Sequence, residues 1–310
     1  MQYKKTIFAL FLQIIICYNI TCKTIYILRR KIMYKLCAFA DESSPAIVGQ
    51  IDALKRNGIS LLEIRGVDGQ NIKDISLEKA KEVRKMLDDA GISVWSMGSP
   101  IGKHHLERDF EPHMDDYKRI VEYAYVLGAK RIRMFSFYAA PGDSAEATEE
   151  KVFEGLRRFC DYAPDDIILC HENEKKIYAE TPETCLKILK AFPKMRAIFD
   201  PANFVQCGVD TLHAWDMLKD YVDYMHIKDA IADGTVVPAG LGIGNVPAIV
   251  KDYLARGGSV MTLEPHLNAF TGLDKLEDGE SVKQGFSVYK TNEESFDAAV
   301  SALKGILANI

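Results

Sequence analysis

Four residues able to grip a divalent cation stand near the ends of four short apolar runs. Glu172 closes the run 167–172, Asp200 the run 196–200 and Glu264 the run 259–264, while His226 lies within 224–228. Three carboxylates gathered at one place repel and raise one another's pKa. A cation removes that conflict, and an oxygen-rich set with a single imidazole suits Mn, Mg, Co or Zn without choosing among them. Each residue alone is equally an ordinary polar strand end, and Asp200 before Pro201 reads also as a turn or a helix cap. Four at matching depth on consecutive strands point to one divalent metal site.

Side chains alternate along a strand, which sorts the neighbours of these four into inward and outward sets. Tyr224 and Lys228 share the face of His226, Arg196 and Ile198 that of Asp200, and Thr262 that of Glu264. Cys170 is then an inward filler below Glu172, and His171, out of phase, is a packing residue. Lys228 either meets a negative oxygen of a substrate or pairs with Asp229 or Asp200. Glu63 and Arg65 on the second run are in phase and reach substrate hydroxyls or each other. Lys103, His104 and His105 lie in a loop that can cover the site, and His266 follows Glu264 by two residues. Gly240, Gly242 and Gly244 fit a phosphate cradle or a tight turn.

The elements that must position these residues follow from hydrophobic period. Strand-like runs at 34–40, 60–65, 92–97, 131–136, 167–172, 196–200, 224–228 and 259–264 alternate with helical segments near 45–57, 76–90, 112–128, 145–163, 181–191, 211–220, 246–256 and 293–308. Gly58, Gly91 and Gly128 supply helix stops. Eight such pairs predict an α/β fold, a single-domain (β/α)8 TIM barrel over 33–310. The long strand-to-helix connections 98–111, 229–245 and 265–292 fall where barrel enzymes build their active face. No G-x-G-x-x-G follows the first run, which counts against a dinucleotide fold.

These residues resemble the xylose isomerase-like TIM barrel superfamily, which spans sugar isomerases, ketose 3-epimerases, inositol-pathway dehydratases and the endonuclease IV group. The resemblance rests on Glu172-Asn173, Asp200-Pro201-Ala202-Asn203, His226-Ile227-Lys228-Asp229, the Gly-rich loop from Pro238 to Asn245, and Leu263-Glu264-Pro265-His266. It implies that Glu172, Asp200, His226 and Glu264 hold one metal, and that Glu172 and Glu264 pass a proton on and off a carbon next to a carbonyl. Lys228, Asn203, Glu63, Arg65, His266 and Lys103 then form the substrate-binding set. Endonuclease-type members carry a histidine where Asn203 stands, and many isomerase relatives an acid where Ile243 stands. The function implied is a metal-dependent sugar or sugar-phosphate isomerase or epimerase. A lyase or dehydratase acting on an oxidised sugar or inosose, including C-glycoside deglycosylation, and a non-catalytic carbohydrate-binding protein remain as alternatives.

Composition narrows the partners. The 310 residues carry a net charge of -5, yet residues 1–33 hold six basic residues and no acid, which leaves the remainder six lower at -11. So acidic a body is a poor partner for nucleic acid; a small carbohydrate and a possible second copy of the chain are the partners expected. Seven cysteines form no CxxC pair, which favours reduced thiols and a cytoplasmic location. Residues 1–32 form a basic, apolar extension whose run from Ile7 to Cys17 is too short to span a bilayer. It reads as a signal-like segment, an anchor that would tether or export the body, or a stretch ahead of a true start at Met33.

Overall fold

Eight parallel strands close into a barrel in the computed structural model, which describes residues 34–271, 273 and 288–310. The expectations for residues 1–32 lie outside the described residues. The strands, first to eighth, are Lys35–Ala38, Leu61–Ile64, Ser93–Met97, Arg131–Met134, Ile168–Glu172, Arg196–Phe199, Val222–Ile227 and Val260–Leu263. Each pairs with its neighbours in sequence, and the first closes the ring by pairing Lys35 with Val260 and Ala38 with Leu263. The (β/α)8 TIM barrel expected from the hydrophobic period is therefore the architecture found. The helices Ile47–Arg56, Leu77–Ala90, Glu111–Leu127, Ala145–Tyr162, Pro182–Ala191, Thr211–Leu218, Val246–Ala255 and Asn292–Leu307 surround it. Among the described residues, no helix is long and apolar enough to cross a membrane.

Local chemistry sets the helix ends. Ser76, Ser144 and Thr181 each accept a backbone N–H from the first turn of the helix they precede, satisfying donors that have no partner within the helix. Gly91 and Gly128 end their helices in left-handed conformation, with φ of 72° and 75°, where a Cβ would be strained. Short elements that hydrophobic period did not signal follow the first, second, sixth and seventh strands. They are the 3₁₀ turn Ala40–Glu42, the hairpin of Gly66–Val67 with Gln70–Asn71, the helix Pro201–Gln206 and the hairpin of Asp229–Ala230 with Val236–Val237. Each is too brief to show a period, and all lie at the C-terminal mouth.

Inside the barrel, Cys37, Leu61, Cys170, Ile198, Tyr224 and Val260 form an apolar floor, separate from the larger core between strands and helices. Two residues further along, the inward positions of five of those six strands turn polar, Glu63, Glu172, Asp200, His226 and Thr262, each buried, while the first strand carries Phe39.

The wall on the third and fourth strands is extended by close backbone pairing at Gly102. Its N–H donates to His113 Nε2 at 2.9 Å and its carbonyl accepts from Phe137 N at 2.8 Å. With φ of +89°, a Cβ there would lie 2.1 Å from the Phe135 carbonyl oxygen, whereas Gly142, at +86°, has open space. Gly142→Ala should therefore cost about 1 kcal/mol of left-handed strain, and Gly102→Ala about 2–4 kcal/mol, because backbone must shift as well. Urea unfolding of the two variants checks this; equal losses would show that the Phe135 contact yields freely.

Candidate metal and proton-transfer site

The barrel brings Glu172, Asp200, His226 and Glu264 together, with one donor atom from each within 4.8 Å of the others. Register accounts for it. Glu172 pairs with Ile198, two residues short of Asp200, and His226 with Thr262, two residues short of Glu264; this stagger matches the tilt of barrel strands and so brings the four inward ends together. All four are at most 3% exposed.

Hydrogen bonds orient each ligand. His226 Nδ1 lies 2.9 Å from Glu172 Oε1 and 3.4 Å from Glu264 Oε2, while Nε2 lies 3.1 Å from Glu63 Oε2. Glu63 also accepts from the Tyr224 hydroxyl at 2.7 Å, which itself lies 3.0 Å from Ser96 Oγ. A carboxylate behind one ring nitrogen fixes the imidazole and leaves the other for a metal. Asp200 Oδ1 caps the helix Pro201–Gln206 by accepting from Asn203 N at 3.1 Å. Its Oδ2 is buried and accepts no hydrogen bond, although Lys228 Nζ stands 3.1 Å away.

The glutamates are held symmetrically. Arg133 Nη1 donates to Glu172 Oε2 at 3.2 Å, and Arg65 Nη1 to Glu264 Oε1 at 3.2 Å. Each glutamate gives one oxygen to an arginine and turns the other toward His226, where Glu172 Oε1 also accepts from Asn203 Nδ2 at 3.4 Å and Glu264 Oε2 from Lys228 Nζ at 3.2 Å. Both guanidinium groups stack on Phe39, at 4.4 Å and 4.9 Å from the ring centre, and that ring packs edge-on against His226.

Burial opposes charge on Asp200, His226 and Glu264 alike, and prevails only at Asp200. It pushes the Asp200 carboxyl up to about 7, against the pull of Lys228 and with help from Glu264 and Glu172. Burial would also hold the His226 imidazolium down, but Glu172 and Glu63 outweigh it and raise its pKa well above the usual value. Glu264 is held well below its usual range, against burial, by Lys228 and His266. Carboxylate repulsion is therefore answered in part by the chain's own cations. The stronger indication of a metal is the donor set itself, three carboxylates and an imidazole, with Asp200 Oδ2 ion-paired to Lys228 but accepting no hydrogen bond. Those residues fit a divalent ion.

The other expected residues fall at different distances from this centre. Arg65 lies at the mouth, but its Nε and Nη2 are bidentate on Asp41 at 2.9 Å, and Nη2 also reaches Glu42 at 3.1 Å. Glu63 sits beneath His226, with one oxygen on the Tyr224 hydroxyl and the other on the imidazole, which it orients. Asn203 is buried, donating to the Asn173 carbonyl at 2.8 Å. Lys103 pairs with Glu174 at 3.0 Å over the Phe135 ring. His266, with φ of 46°, places Nε2 3.4 Å from Glu42 Oε1 and 3.6 Å from Glu264 Oε1. Glu42, Glu264 and His266 form a second close acidic group, but Arg65 donates to both carboxylates and already supplies its positive charge.

The Gly-rich loop holds an anion, though not a phosphate. The Asp229 carboxylate accepts from the backbone N–H of Gly240, Gly242 and Gly244 at 2.9–3.1 Å, filling the place a phosphate would need. Lys228 correspondingly pairs with Asp200 and, at 3.2 Å, with Glu264. Cys170 lies in the interior floor as expected, and His171 is buried outside it. Sequence reasoning missed Arg133, Asp41, Glu42 and Glu174. Arg133 alone left a signal, a charged residue inside the run Arg131-Ile132-Arg133. A cleft of about 340 Å³ opens beside Arg65 and Arg133, which hold Glu264 and Glu172; its walls also include Lys103, Asn71 and Tyr138 but none of the four converging residues.

No curated protein matches the chain in sequence. Among solved structures, the IolI protein with a bound zinc atom superposes with a TM-score of 0.68 at 16% identity, covering 89% of this chain and 98% of that one. AsbF of Bacillus anthracis, described as a probable 3-DHS dehydratase, gives 0.66 at 16% identity over 88% and 98%. D-allulose 3-epimerase from Methylomonas sp. gives 0.66 at 16% identity over 90% and 98%. At such identities the likeness is one of fold. A family model for xylose isomerase-like TIM barrels matches residues 51–290, most of the chain and all four converging residues, and on that match the chain belongs to the xylose isomerase-like TIM barrel family.

Proposed function

We propose that the chain is a divalent-metal-dependent isomerase or epimerase of a sugar or sugar phosphate, working by proton transfer at a carbon next to a carbonyl. The observation that carries this reading is the pair Glu172 and Glu264, each tethered by an arginine through one oxygen and offering the other on the His226 side. When bound among Glu172, Asp200, His226 and Glu264, the metal would supply Lewis acidity to the substrate carbonyl. Glu172 and Glu264 approach from the fifth and eighth strands with the Asp200 and His226 strands between them, so they can act on opposite faces of one carbon as base and acid. Arg133 and Arg65 keep both carboxylates aimed.

A second reading, elimination of water or of an aglycone, is favoured by Glu42. Burial pushes its carboxyl up to about 8, against the pull of Arg65, which favours its keeping a proton beside Glu264 and His266. A protonated acid there suits a leaving hydroxyl, and dehydration is also the chemistry named for AsbF.

A panel of ketoses, inososes and 3-keto-glycosides in deuterated solvent with Mn²⁺, followed by NMR, tests both readings. Formation of an isomeric or epimeric sugar carrying deuterium next to the carbonyl supports isomerisation or epimerisation, whereas exchange into unreacted substrate reports only the proton abstraction common to both readings. Loss of water or aglycone supports elimination, and no exchange with any member would leave a binding protein. On a substrate so found, Glu172→Gln and Glu264→Gln should each slow exchange about 10²- to 10⁴-fold at saturating metal; exchange at the wild-type rate in both would refute the two-glutamate mechanism.

Metal affinity should depend on pH in a defined direction. In the metal-free protein the Asp200 carboxyl, at about 7, and the raised His226 imidazole bind protons that a metal must displace. Affinity for Mn²⁺ should therefore weaken as pH falls below 7, by roughly tenfold per unit for each proton displaced. Calorimetric titration in buffers of differing ionisation enthalpy measures the protons released; affinity unchanged between pH 6 and 8 with none released would contradict the assignment.

A further inference from the structure

Lys228 lies two residues beyond His226 on the inward face, and its ammonium is buried. Nζ stands 3.1 Å from Asp200 Oδ2 and 3.2 Å from Glu264 Oε2. These are the oxygens a metal would need. Asp200 Oδ1 is taken up by the Asn203 N–H, and Glu264 Oε1 by Arg65, while Glu264 Oε2 is the oxygen nearer His226 Nδ1. The ammonium therefore bridges two of the four ligands through the donor atoms left to them.

We propose that Lys228 is a tethered counter-cation of the metal site: its ammonium holds Asp200 and Glu264 together in the metal-free protein and is displaced when a divalent ion takes the same two oxygens. This inference rests on the metal reading of the four residues above. An ion bound to those oxygens sits close to Nζ, and like charges in a buried, low-dielectric site repel strongly. The ammonium can yield because it ends a four-carbon stem with rotatable bonds, whereas Arg65 and Arg133 are fixed by bidentate or backbone contacts and by stacking. Lys228 would thus keep the carboxylates from repelling one another before metal arrives and set a threshold of affinity that an ion must exceed.

Lys228→Met, Lys228→Arg and the wild-type full chain, compared by Mn²⁺ titration and by thermal unfolding in EDTA and in saturating Mn²⁺, test it. Lys228→Met should bind Mn²⁺ at least tenfold more tightly, unfold several degrees lower in EDTA, and unfold no lower than wild type with Mn²⁺ bound. Lys228→Arg, which keeps the charge, should stay within a few-fold of wild-type affinity. Should Lys228→Met be recoverable only in the presence of Mn²⁺, that dependence supports the proposal, and Lys228→Gln then provides the affinity comparison. Equal or weaker Mn²⁺ binding by the uncharged variants, with wild type binding normally, would overturn the proposal alone. Absence of Mn²⁺ binding in every variant and in wild type would overturn the metal reading, and the proposal with it.

Discussion

The barrel mouth has to keep a set of buried carboxylates stable out of water. Asp41, Glu42, Glu63, Glu172, Asp200 and Glu264 are each no more than 6% exposed, as are the cations Arg65, Arg133 and Lys228 set among them. Burying a charge is costly, and removing one partner of a buried pair leaves the other uncompensated, typically at about 3–5 kcal/mol. No member of the set is therefore independent of the rest. Arg65 serves Asp41, Glu42 and Glu264 at once, so a change at the first strand's end is felt by a glutamate on the eighth.

The fold meets this constraint by layering. An apolar floor closes the barrel below, and the next inward positions carry the charges, so the polar layer is shielded from solvent on one side and opens to a cleft on the other. Phe39 ties the layers together, since Arg65, Arg133 and His226 all pack against its ring. Backbone strain gathers at the same end: Phe137 and His266 have φ of 69° and 46°, and non-glycine residues keep such angles only where the surroundings hold them. Asp229 shows the same economy, its carboxylate ordering the Gly-rich loop from within.

Strand alternation made the four converging residues readable, because period two and a common strand end determine both face and depth. The roles around them were less readable. Glu63 has the inward phase expected, but the second and third strands shift register between Leu62 and Glu63, and the residue faces Tyr224 and His226 at the lower level. Arg133 stands out only as a charge inside an apolar run, which does not say what it pairs with. Its partners Glu172 and Gly98 are 39 and 35 residues away and meet it only once the barrel closes. Asp41 and Glu42 stand on a single 3₁₀ turn, too short for any period to mark. Pairing across strands, rather than pattern along them, decides which polar residue orients and which is left to react.

Anomalous diffraction from crystals of the full chain soaked in Mn²⁺ tests the central claim most directly. The account predicts one strong peak bounded by Glu172, Asp200, His226 and Glu264 and none at Glu42, Glu264 and His266, where Arg65 supplies the charge. Density for Mn²⁺ at that second group, or none among the four residues at millimolar Mn²⁺ and neutral pH, would contradict it.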